Sequence, residues 1–590
     1  MKKEALLHRA KSEYAYAFDE KTIHITFRTA RNDIKEIKII YGDPFAWSNS
    51  KWIHFEEKMI KTYQTNLFDY YFIEVEPKDL RVKYAFLITD NNNQKHFFGT
   101  KQLISNYSDI DKFNLQNYFN YPYLNVEDLH HTPNWVKETV WYQIFPDRFY
   151  TKNPKLPWGS LPVNNHQIFG GDLKGITAKL PYLNDLGITG IYFTPIFEAK
   201  TAHKYDTINY FKIDPSFGTN EDFKELVETA HKLNIKVMLD GVFNHSGYLH
   251  PFFQDVVEKG EKSIYKNSFH IDKFPVVNFP LNENGEPSLG KSHSSFELNF
   301  KTFAYTPHMP KWNTNDPLTQ KHLLEVITYW ITEYNIDGWR LDVSNEISHD
   351  FLREIKKASR KANPNTFILG ENWDQSLPWL LGDQLDSVMN YDLTVPIWNF
   401  IDQKIDVAEF ISQINHYLAT TPKNVMPNMF NLIDSHDTTR VLRRVDDNVE
   451  RVKLAYLFMF LSCGAPNIYY GGEVLLTGNH DPDNRRTMIW NPNDEALAFK
   501  EFIKTLIKLR KKHKSFNEPN YNFISKEVLS FTKTYENETI LVVLNNSKES
   551  IELPLNNDLN ANYLNLFTNE SNFYDKIALE PYKFVLLLKE

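Results

Sequence analysis

The hydrophobic and polar positions divide the chain into three stretches. Residues 1 to about 125 alternate with period two, as in Thr22–Arg28, and turn residues such as Gly42-Asp43-Pro44 separate the runs. From about residue 139, short apolar runs alternate with amphipathic helical patterns, and after about residue 513 period two returns. Period two is typical of strands with one buried face, and alternating strands and helices indicate a parallel sheet. The chain is therefore predicted to be multidomain α/β, with an N-terminal β-sandwich at 1–125, a central unit at 126–512 and a C-terminal β-sandwich at 513–590.

The central unit contains eight predicted strands with amphipathic segments between them. The strands cover Val140–Phe145, Gly190–Thr194, Lys236–Leu239, Ile336–Asp342, Asn365–Leu369, Ser387–Asn390, Met429–Ile433 and Asn467–Tyr470. Such repetition favours a (β/α)8 TIM barrel. A doubly wound sheet is the alternative, which the lack of a glycine-rich phosphate motif after the first strand disfavours. The stretch between Asp240 and Pro317 is far longer than an ordinary loop and predicts a domain, about residues 246–314, inserted after strand 3 over the barrel's C-terminal face.

Charged and aromatic residues follow several of these strands. They are His203, Tyr205, His245, Arg340, Asp342, Glu371, His436 and Asp437. Any one of them could be a solvated loop residue or part of a structural ion pair. A barrel, however, gathers its strand ends at the one face where barrel enzymes carry their active sites. We therefore expect the set to converge, with Arg340 beside Asp342 because residues two apart in a strand share a face.

Three carboxylates, three histidines and an arginine at one face suit the hydrolysis of glycosides. The oxocarbenium-like transition state needs one carboxylate as nucleophile and a second, protonated one as acid to the leaving oxygen. The sequence lacks an H-E-x-x-H motif and a Cys/His cluster, which argues against a zinc hydrolase. These residues predict a carbohydrate-active enzyme and leave open whether the anomeric configuration is retained or inverted.

Composition excludes several other classes of function. A net charge of -9 and the lack of a Lys/Arg block argue against nucleic acid as the main partner. The sequence has no apolar run long enough for a membrane span, and its start has no apolar signal core. Cys463 is the single cysteine, so an intramolecular disulfide is impossible and a cytoplasmic location is expected.

Four segments resemble the signature regions of the α-amylase superfamily of retaining α-glucosidic enzymes. They are Asp240–His245, Gly338–Asp342, Gly370–Glu371 and Asp434–Asp437, in the family's order and spacing. The N-terminal β-domain, Met309–Asn313 and Val343–Glu346 look like the branch of neopullulanases, cyclomaltodextrinases and maltogenic amylases. The resemblance covers the whole chain.

The resemblance implies a role for each matching residue. Asp342 would be the nucleophile, Glu371 the general acid and base, and Asp437 the stabiliser of the transition state. The residues implied to bind substrate are His203, Tyr205, His245, Arg340, Glu346, Trp373, His436, Asp481 and Arg485. In the family, the positions of Asp481 and Arg485 lie on the non-reducing side of the substrate. Those of Glu346 and Trp373 lie on the acceptor side, where hydrolysis competes with transglycosylation.

The sequence departs from the family's pattern in two places. Relatives often bind calcium in the loop after the first strand, whereas here Asn153, Gly170 and Asp172 remain as the oxygen ligands. We therefore expect that the protein requires no cofactor and that these three residues form an optional calcium site. Gly471-Gly472-Glu473 stands where relatives usually carry Gly-Asp-Glu, which affects a local contact and not the chemistry.

The leading hypothesis is a retaining α-glucan hydrolase that cleaves α-1,4 bonds of cyclomaltodextrins, pullulan and maltooligosaccharides and also catalyses transglycosylation. An oligo-1,6-glucosidase or a trehalose-forming enzyme is the alternative among enzymes, and a catalytically silent carbohydrate-binding barrel is the alternative outside them. The resemblance also implies a homodimer formed through the N-terminal domain. Retention predicts that the carboxyl groups of Asp342 and Glu371 lie roughly 5–5.5 Å apart.

Overall fold

The N-terminal residues form two antiparallel sheets, as the period-two pattern predicts. The computed structural model describes residues 1–288, 298–556 and 558–590. One sheet contains Ala15–Ala17, Ile23–Ala30, Phe68–Val75 and Ile60–Gln64. The other contains Leu103–Ser105, Lys95–Phe98, Val82–Asp90, Ile34–Gly42, Phe55–Lys58 and Phe119–Tyr121. Buried side chains of both sheets, such as Ile25, Phe27, Ile37 and Phe86, share one core, so the predicted sandwich is confirmed.

Eight parallel strands form the barrel at the centre of the molecule. In chain order they are β1 (Trp141–Ile144), β2 (Gly190–Phe193), β3 (Lys236–Gly241), β4 (Gly338–Leu341), β5 (Phe367–Gly370), β6 (Ser387–Val388), β7 (Phe430–Asn431) and β8 (Ala465–Tyr469). Sequential strands pair with each other, β8 pairs with β1, and a parallel bridge between Met389 and Phe430 links β6 to β7. The TIM barrel is therefore confirmed. β4 ends one residue earlier than predicted, because Val343 turns the chain with a positive φ of 46°.

Helices pack around the barrel strands, and most of the longer ones begin at a side-chain cap. The longer helices are Leu173–Leu186, Asn220–Lys232, Pro317–Tyr334, His349–Ala362, Tyr391–Ile401, Val407–Thr420, Val449–Leu461 and Asp494–Lys512, and shorter ones are Asp109–Lys112, Pro146–Phe149, Pro251–Lys259 and Val441–Arg444. Asp316 caps the helix that leads to β4 by accepting from the Thr319 amide, and Asn335 ends it in the left-handed conformation. None of the helices in the described ranges has the length and apolar character that crossing a bilayer requires.

The long connection after β3 is only partly described, because residues 289–297 of the predicted insertion lie outside the described residues. A short helix, Pro251–Lys259, is followed by bridges that join Phe269 to Trp312 and Ile271 to Phe300. These aromatic side chains are continuous with the barrel core. A further bridge joins His245, just after β3, to Lys311, so the end of the insertion lies directly over the end of β3.

The C-terminal residues form a second sandwich, as predicted. Its larger sheet contains Asn522–Ser525, Leu529–Tyr535, Glu538–Leu544, Phe584–Lys589, Ala561–Asn565 and Ser571–Tyr574, and its smaller one contains Ile551–Pro554 and Lys576–Leu579. Leu541, Val543, Leu553 and Ile577 form the core between the two sheets. The exact domain boundaries at 125/126 and 512/513 stay predictions.

Candidate active site

Arg340 is the centre of the charged cluster at the carboxyl ends of the strands. Its side chain is fully buried, and its Nη1 donates to Asp342 Oδ1 at 2.7 Å and to Asp240 Oδ2 at 3.0 Å. Its Nη2 forms an ion pair with Glu371 Oε2 at 3.0 Å. One guanidinium therefore holds carboxylates from the ends of β3, β4 and β5, and the predicted convergence of these strand ends occurs.

Asp240 is the residue of this cluster that sequence reasoning missed as a site residue. It is the penultimate residue of β3, and its Oδ2 accepts from the hydroxyls of Tyr192 at 2.7 Å and Tyr205 at 3.1 Å. Burial raises its pKa to about 6, against the opposing charge of Arg340. Asp240 is the first residue of the segment Asp240–His245, which resembles a signature region of the family, so the sequence could have indicated its role.

Burial also sets the charge of Asp342. It raises the pKa of the Asp342 carboxyl well above the ordinary value, the nearby carboxylates of Glu371 and Asp240 raise it further, and Arg340 opposes them. Carboxylates crowded around a single cation cannot all be ionised at little cost. Arg340 opposes this rise and thus favours the ionised form of Asp342.

Glu371 receives a hydrogen bond from a strained turn. Its Oε2 accepts from the backbone N–H of Val343 at 3.0 Å. Val343 is β-branched and has a φ of 46°, a conformation that costs such residues energy and persists where the surroundings enforce it. The turn after β4 thus positions Asp342 and directs an N–H toward Glu371.

His436, Asp437 and Tyr205 form the opposite wall of the cluster. The rings of Tyr205 and His436 are parallel, with 5.5 Å between centroids and 4° between planes. Asp437 lies 3.1 Å from His436 Nε2 and forms an ion pair of 3.3 Å with Arg485 Nη2. Burial, with the nearby Arg485, lowers the pKa of His436 well below its usual value, so its imidazole is neutral, with Gln143 Nε2 at its Nδ1 and the Tyr205 hydroxyl at its Nε2. Burial also raises the pKa of Asp437, with Arg485 opposing.

His203 and His245 are two further neutral imidazoles close to this wall. The His203 ring lies 5.8 Å from that of Tyr205, and burial lowers its pKa to about 4. His245 is fully buried after β3 and stacks on Phe303 of the insertion, with 5.0 Å between ring centroids. Burial lowers the pKa of His245 to about 3.

The remaining predicted residues lie around the central cluster. Asp481 Oδ2 is 3.6 Å from Arg485 Nη2. Trp373 is 45 % exposed and stacks on Tyr391 with 4.0 Å between ring centroids. Glu346 Oε2 is paired at 2.7 Å with Lys311.

Lys311 is a second residue whose contacts sequence reasoning missed. Its ammonium also donates to Asn244 Oδ1 and contacts the Glu346 carbonyl at 3.4 Å. Lys311 therefore joins the insertion to the loops after β3 and β4. The signal was present, since Met309–Asn313 was noted as a branch motif but not as a contact.

The proposed calcium ligands do not form a calcium cage. Asp172 caps a helix, with Oδ1 accepting from the Gly175 amide and Oδ2 from the Thr151 hydroxyl at 2.6 Å. Asn153 is exposed, and the Gly170 amide donates to Asp147. Calcium takes about six to eight oxygen ligands, and the one carboxylate among the three predicted ligands, that of Asp172, already accepts two hydrogen bonds. No group of three or more His, Cys, Asp or Glu residues within the described ranges could hold a metal ion.

The departure at residues 471–473 has a local explanation. A Cβ on Gly472 would lie 2.3 Å from the Tyr456 hydroxyl, so a larger residue does not fit without movement. Glu473 is buried and accepts from the hydroxyls of Tyr142 at 2.8 Å and Tyr182 at 2.9 Å. Glu473 is thus held by one tyrosine of β1 and one of the helix Leu173–Leu186.

Comparisons with known proteins agree with this geometry. Residues 143–535 match the alpha amylase catalytic domain, residues 1–125 the alpha amylase N-terminal ig-like domain, and residues 524–586 the maltogenic amylase C-terminal domain. A maltogenic alpha-amylase of Bacillus acidopullulyticus is 43% identical over 95% of this chain and 94% of its own length. An intracellular maltogenic amylase of Bacillus subtilis is 39% identical over 99% of this chain and 98% of its own.

A solved structure provides the same conclusion at the level of the fold. A cyclomaltodextrinase superposes with a TM-score of 0.90 at 37% identity and covers 100% of both chains. Relatives of this similarity, aligned over almost their whole length, establish membership of the family. The chain belongs to the α-amylase family of glycoside hydrolases, in the branch of the maltogenic amylases, cyclomaltodextrinases and neopullulanases.

Proposed function

We propose that the protein hydrolyses α-1,4-glucosidic bonds of cyclomaltodextrins, pullulan and maltooligosaccharides with retention of configuration. The observation that carries the proposal is the binding of Asp342 and Glu371 to the same guanidinium, that of Arg340. A retaining glycosidase needs two carboxyl groups close together, one ionised and one protonated. The names of its relatives, which include maltogenic amylase and cyclomaltodextrinase, support the choice of substrates.

In this proposal Asp342 attacks the anomeric carbon while Glu371 protonates the leaving oxygen. A covalent glucosyl ester forms on Asp342, and the leaving chain departs with the proton of Glu371. Glu371, now ionised, then takes a proton from water, which cleaves the ester and releases the sugar. Arg340 stabilises the ionised form of Asp342, since its Nη1 lies 2.7 Å from the carboxylate.

The other wall of the cleft would bind the distorted sugar ring. Asp437 and His436 are placed side by side, so their oxygen and nitrogen atoms can bind adjacent hydroxyls. Tyr205 offers a ring face held parallel to His436. Bonds that shorten as the ring flattens toward the oxocarbenium ion stabilise the transition state more than the bound substrate.

Replacement of the nucleophile tests the assignment. We expect Asp342→Asn to lower maltose release from β-cyclodextrin by at least about 1,000-fold, because an amide cannot form the ester. Asp79→Asn, at an exposed position of the N-terminal sandwich, is the matched control and should keep full activity. Equal rates for wild type and Asp342→Asn would refute the proposal, and the products formed from panose would separate α-1,4 from α-1,6 specificity.

We further propose that the acceptor side supports transglycosylation. Trp373 presents an exposed ring beside the loop that carries Glu371, and rings of this kind can stack on an incoming sugar. Its stacking on Tyr391 holds the ring in one orientation. With maltotriose and an excess of glucose, Trp373→Ala should lower the ratio of transfer to hydrolysis, which product chromatography measures directly. An unchanged ratio would contradict this part of the proposal.

A homodimer formed through the N-terminal domain is proposed from its exposed apolar surface. Phe45, Trp47, Ile53 and Phe55 are 77%, 50%, 48% and 58% exposed and lie close together in the sequence. Large exposed apolar side chains that cluster on a surface mark interaction sites. Light scattering should give twice the chain mass for the wild type and a monomer for Phe55→Asp. A monomeric wild type at micromolar concentration would contradict the proposal.

We propose a cytoplasmic location. The Bacillus subtilis relative that is named an intracellular maltogenic amylase supports it. The single cysteine, Cys463, is buried and forms no disulfide, so the fold does not require an oxidising compartment. Cell fractionation with an antibody against the protein tests this location.

A further inference from the structure

We infer that Asn484 is a positioning residue for Asp437. The Asn484 side chain is fully buried, and its Nδ2 donates to three backbone carbonyls of the turn that carries Asp437. The distances are 3.2 Å to Ser435 O, 2.7 Å to His436 O and 2.8 Å to Thr438 O. One amide group therefore fixes the backbone on both sides of Asp437.

The orientation of this amide follows from its surroundings. Three carbonyl oxygens converge on one position, so the donor nitrogen must occupy it, since a flipped amide would place a fourth oxygen there. Its two hydrogens serve three acceptors, so one hydrogen is shared. A side chain without an N–H donor at this position leaves three buried carbonyl groups without that partner.

Asn484 is itself anchored to the end of the barrel. The backbone carbonyl of Asn484 accepts from Arg440 Nε at 2.8 Å. Arg440 Nη1 in turn donates to the backbone carbonyl of Tyr470, the residue after β8, at 2.6 Å. Gly478 packs against it so closely that a Cβ there would lie 2.8 Å from the Asn484 Cα. Arg440 and Asn484 thus connect the end of β8 to the turn that follows β7.

Asp437 depends on this turn because no strand holds it. It lies six residues beyond the end of β7, and its side chain is 30% exposed. Its amide donates to Ser435 Oγ at 3.2 Å, a bond within the same turn. Arg485, adjacent to Asn484, adds a bond from its Nε to His436 O at 2.9 Å. Movement of the turn would therefore move Asp437 and His436 together.

The expected consequence is a loss of rate rather than of substrate affinity. This inference rests on the proposed function, in which Asp437 binds the hydroxyls of the distorted sugar. A displacement of about 1 Å in a positioned group costs on the order of 100-fold in rate. Because the distorted ring makes these bonds best in the transition state, the ground-state complex should be affected less.

The experiment compares Asn484→Ala with a matched control, Asn545→Ala. Asn545 is also buried, and its Nδ2 also donates to three carbonyls, those of Glu549, Leu579 and Glu580, but in the C-terminal sandwich. For p-nitrophenyl α-maltoside we expect Asn484→Ala to lower kcat by about 100-fold and to change KM by less than about 3-fold. Binding of acarbose, whose half-chair ring imitates the transition state, should weaken by a similar factor as kcat, while maltose binding changes little. Asn545→Ala should lower the melting temperature comparably and keep kcat.

Two results would overturn the inference. One is a kcat of Asn484→Ala within about 3-fold of wild type, and the other is a loss of maltose binding equal to that of acarbose. If Asn484→Ala does not fold, Asn484→Ser, which keeps one hydroxyl donor in place of the amide N–H groups, replaces it, with the same expected split between kcat and KM. Asp437→Asn is measured in parallel. Wild-type activity of Asp437→Asn would refute the proposed function. An inactive Asp437→Asn together with a fully active Asn484→Ala would refute only the positioning role of Asn484.

Discussion

At the scale of single residues, the site depends on charges that share one partner. Arg340 forms ion pairs with Asp240, Asp342 and Glu371, so the removal of any one carboxylate changes the electrostatic potential at the other two. Asp240 is the least exposed of the three and also orders Tyr192 and Tyr205. It therefore positions the residues around it.

The first prediction concerns Asp240. Asp240→Asn keeps the shape but removes a negative charge beside Arg340, so the ionised form of Asp342 should become easier to form and Tyr205 should lose a strong acceptor. We expect kcat/KM to fall by about 10- to 100-fold and the acid limb of its pH profile to move to lower pH. The measurement is kcat/KM for p-nitrophenyl α-maltoside from pH 4 to 8.

Asp337→Asn is the matched control for Asp240→Asn. Asp337 is likewise buried and paired with a cation, Lys236 at 2.8 Å, and it is hydrogen-bonded to His231 at 2.7 Å, but it lies at the opposite end of the barrel. Its replacement should lower the melting temperature and leave the pH profile in place. If both variants shift the profile equally, the effect does not arise in the cluster around Arg340.

At the scale of elements, the loops after the strands are joined by few but specific contacts. Lys311 links the insertion to Asn244 after β3 and to Glu346 after β4. A pair this exposed contributes little to stability, since the side chain of Glu346 is 47% exposed. Its effect should be on the orientation of Glu346, for which the resemblance to the family implies a role on the acceptor side.

The second prediction is that Lys311 and Glu346 act as a unit. Lys311→Met and Glu346→Gln should change the ratio of transfer to hydrolysis in the same direction. The double variant should change it little further, because neither single variant leaves the ion pair intact. Product chromatography with maltotriose gives the ratio for all four proteins. Fully additive effects would show that the two residues act separately, and Lys301→Met, on an exposed pair with Asp272, is the control.

At the scale of the whole molecule, the buried side chain of Lys533 joins the C-terminal sandwich to the barrel, beside Arg510 of the barrel helix Asp494–Lys512. Lys533 donates to the carbonyls of Leu461, Phe516 and Glu518, and Arg510 donates to those of Phe460 and Ser462. Leu461 ends the helix Val449–Leu461, so both cations satisfy carbonyls at a helix C-terminus. This contact couples the stability of the two domains.

The third prediction follows from the titration of Lys533. Burial lowers its pKa from 10.5 to about 7, with the charge of nearby Arg510 acting in the same direction and Cys463 and Glu518 opposing. Above about pH 7 the unfolded chain binds this proton more tightly than the folded one. The contribution of Lys533 to the free energy of unfolding should therefore rise with pH up to about 10, by at most about 1.4 kcal/mol per pH unit, and be constant below about pH 7.

Calorimetry from pH 6.5 to 9.5 measures this contribution. Lys533→Met should remove the rising component of the melting temperature, so its curve should flatten relative to that of wild type. Lys526→Met, at an exposed position of the same domain, should follow the wild type. Parallel curves for wild type and Lys533→Met would contradict a depressed pKa for Lys533.

The sequence by itself determined the barrel, its two flanking sandwiches and the location of the charged residues at the strand ends. Period and spacing are local properties, so the strands that end near Asp240 and Arg340 could be predicted without the fold. Which side chains meet could not, because it depends on contacts between distant residues. Asp240 and Arg340 are 100 residues apart, and Asn484 and His436 are 48 apart.

The tertiary structure alone decided how these residues are used. In the folded protein, three carboxylates pair with one guanidinium and Lys311 pairs with Glu346. The Asn484 amide donates hydrogen bonds to the turn that carries Asp437. The tertiary structure also engaged Asp172 in a helix cap, where the sequence had allowed a calcium ligand. The physical reason is that burial and close packing fix both the partners and the pKa of a polar group, and neither quantity is encoded within one segment of the chain.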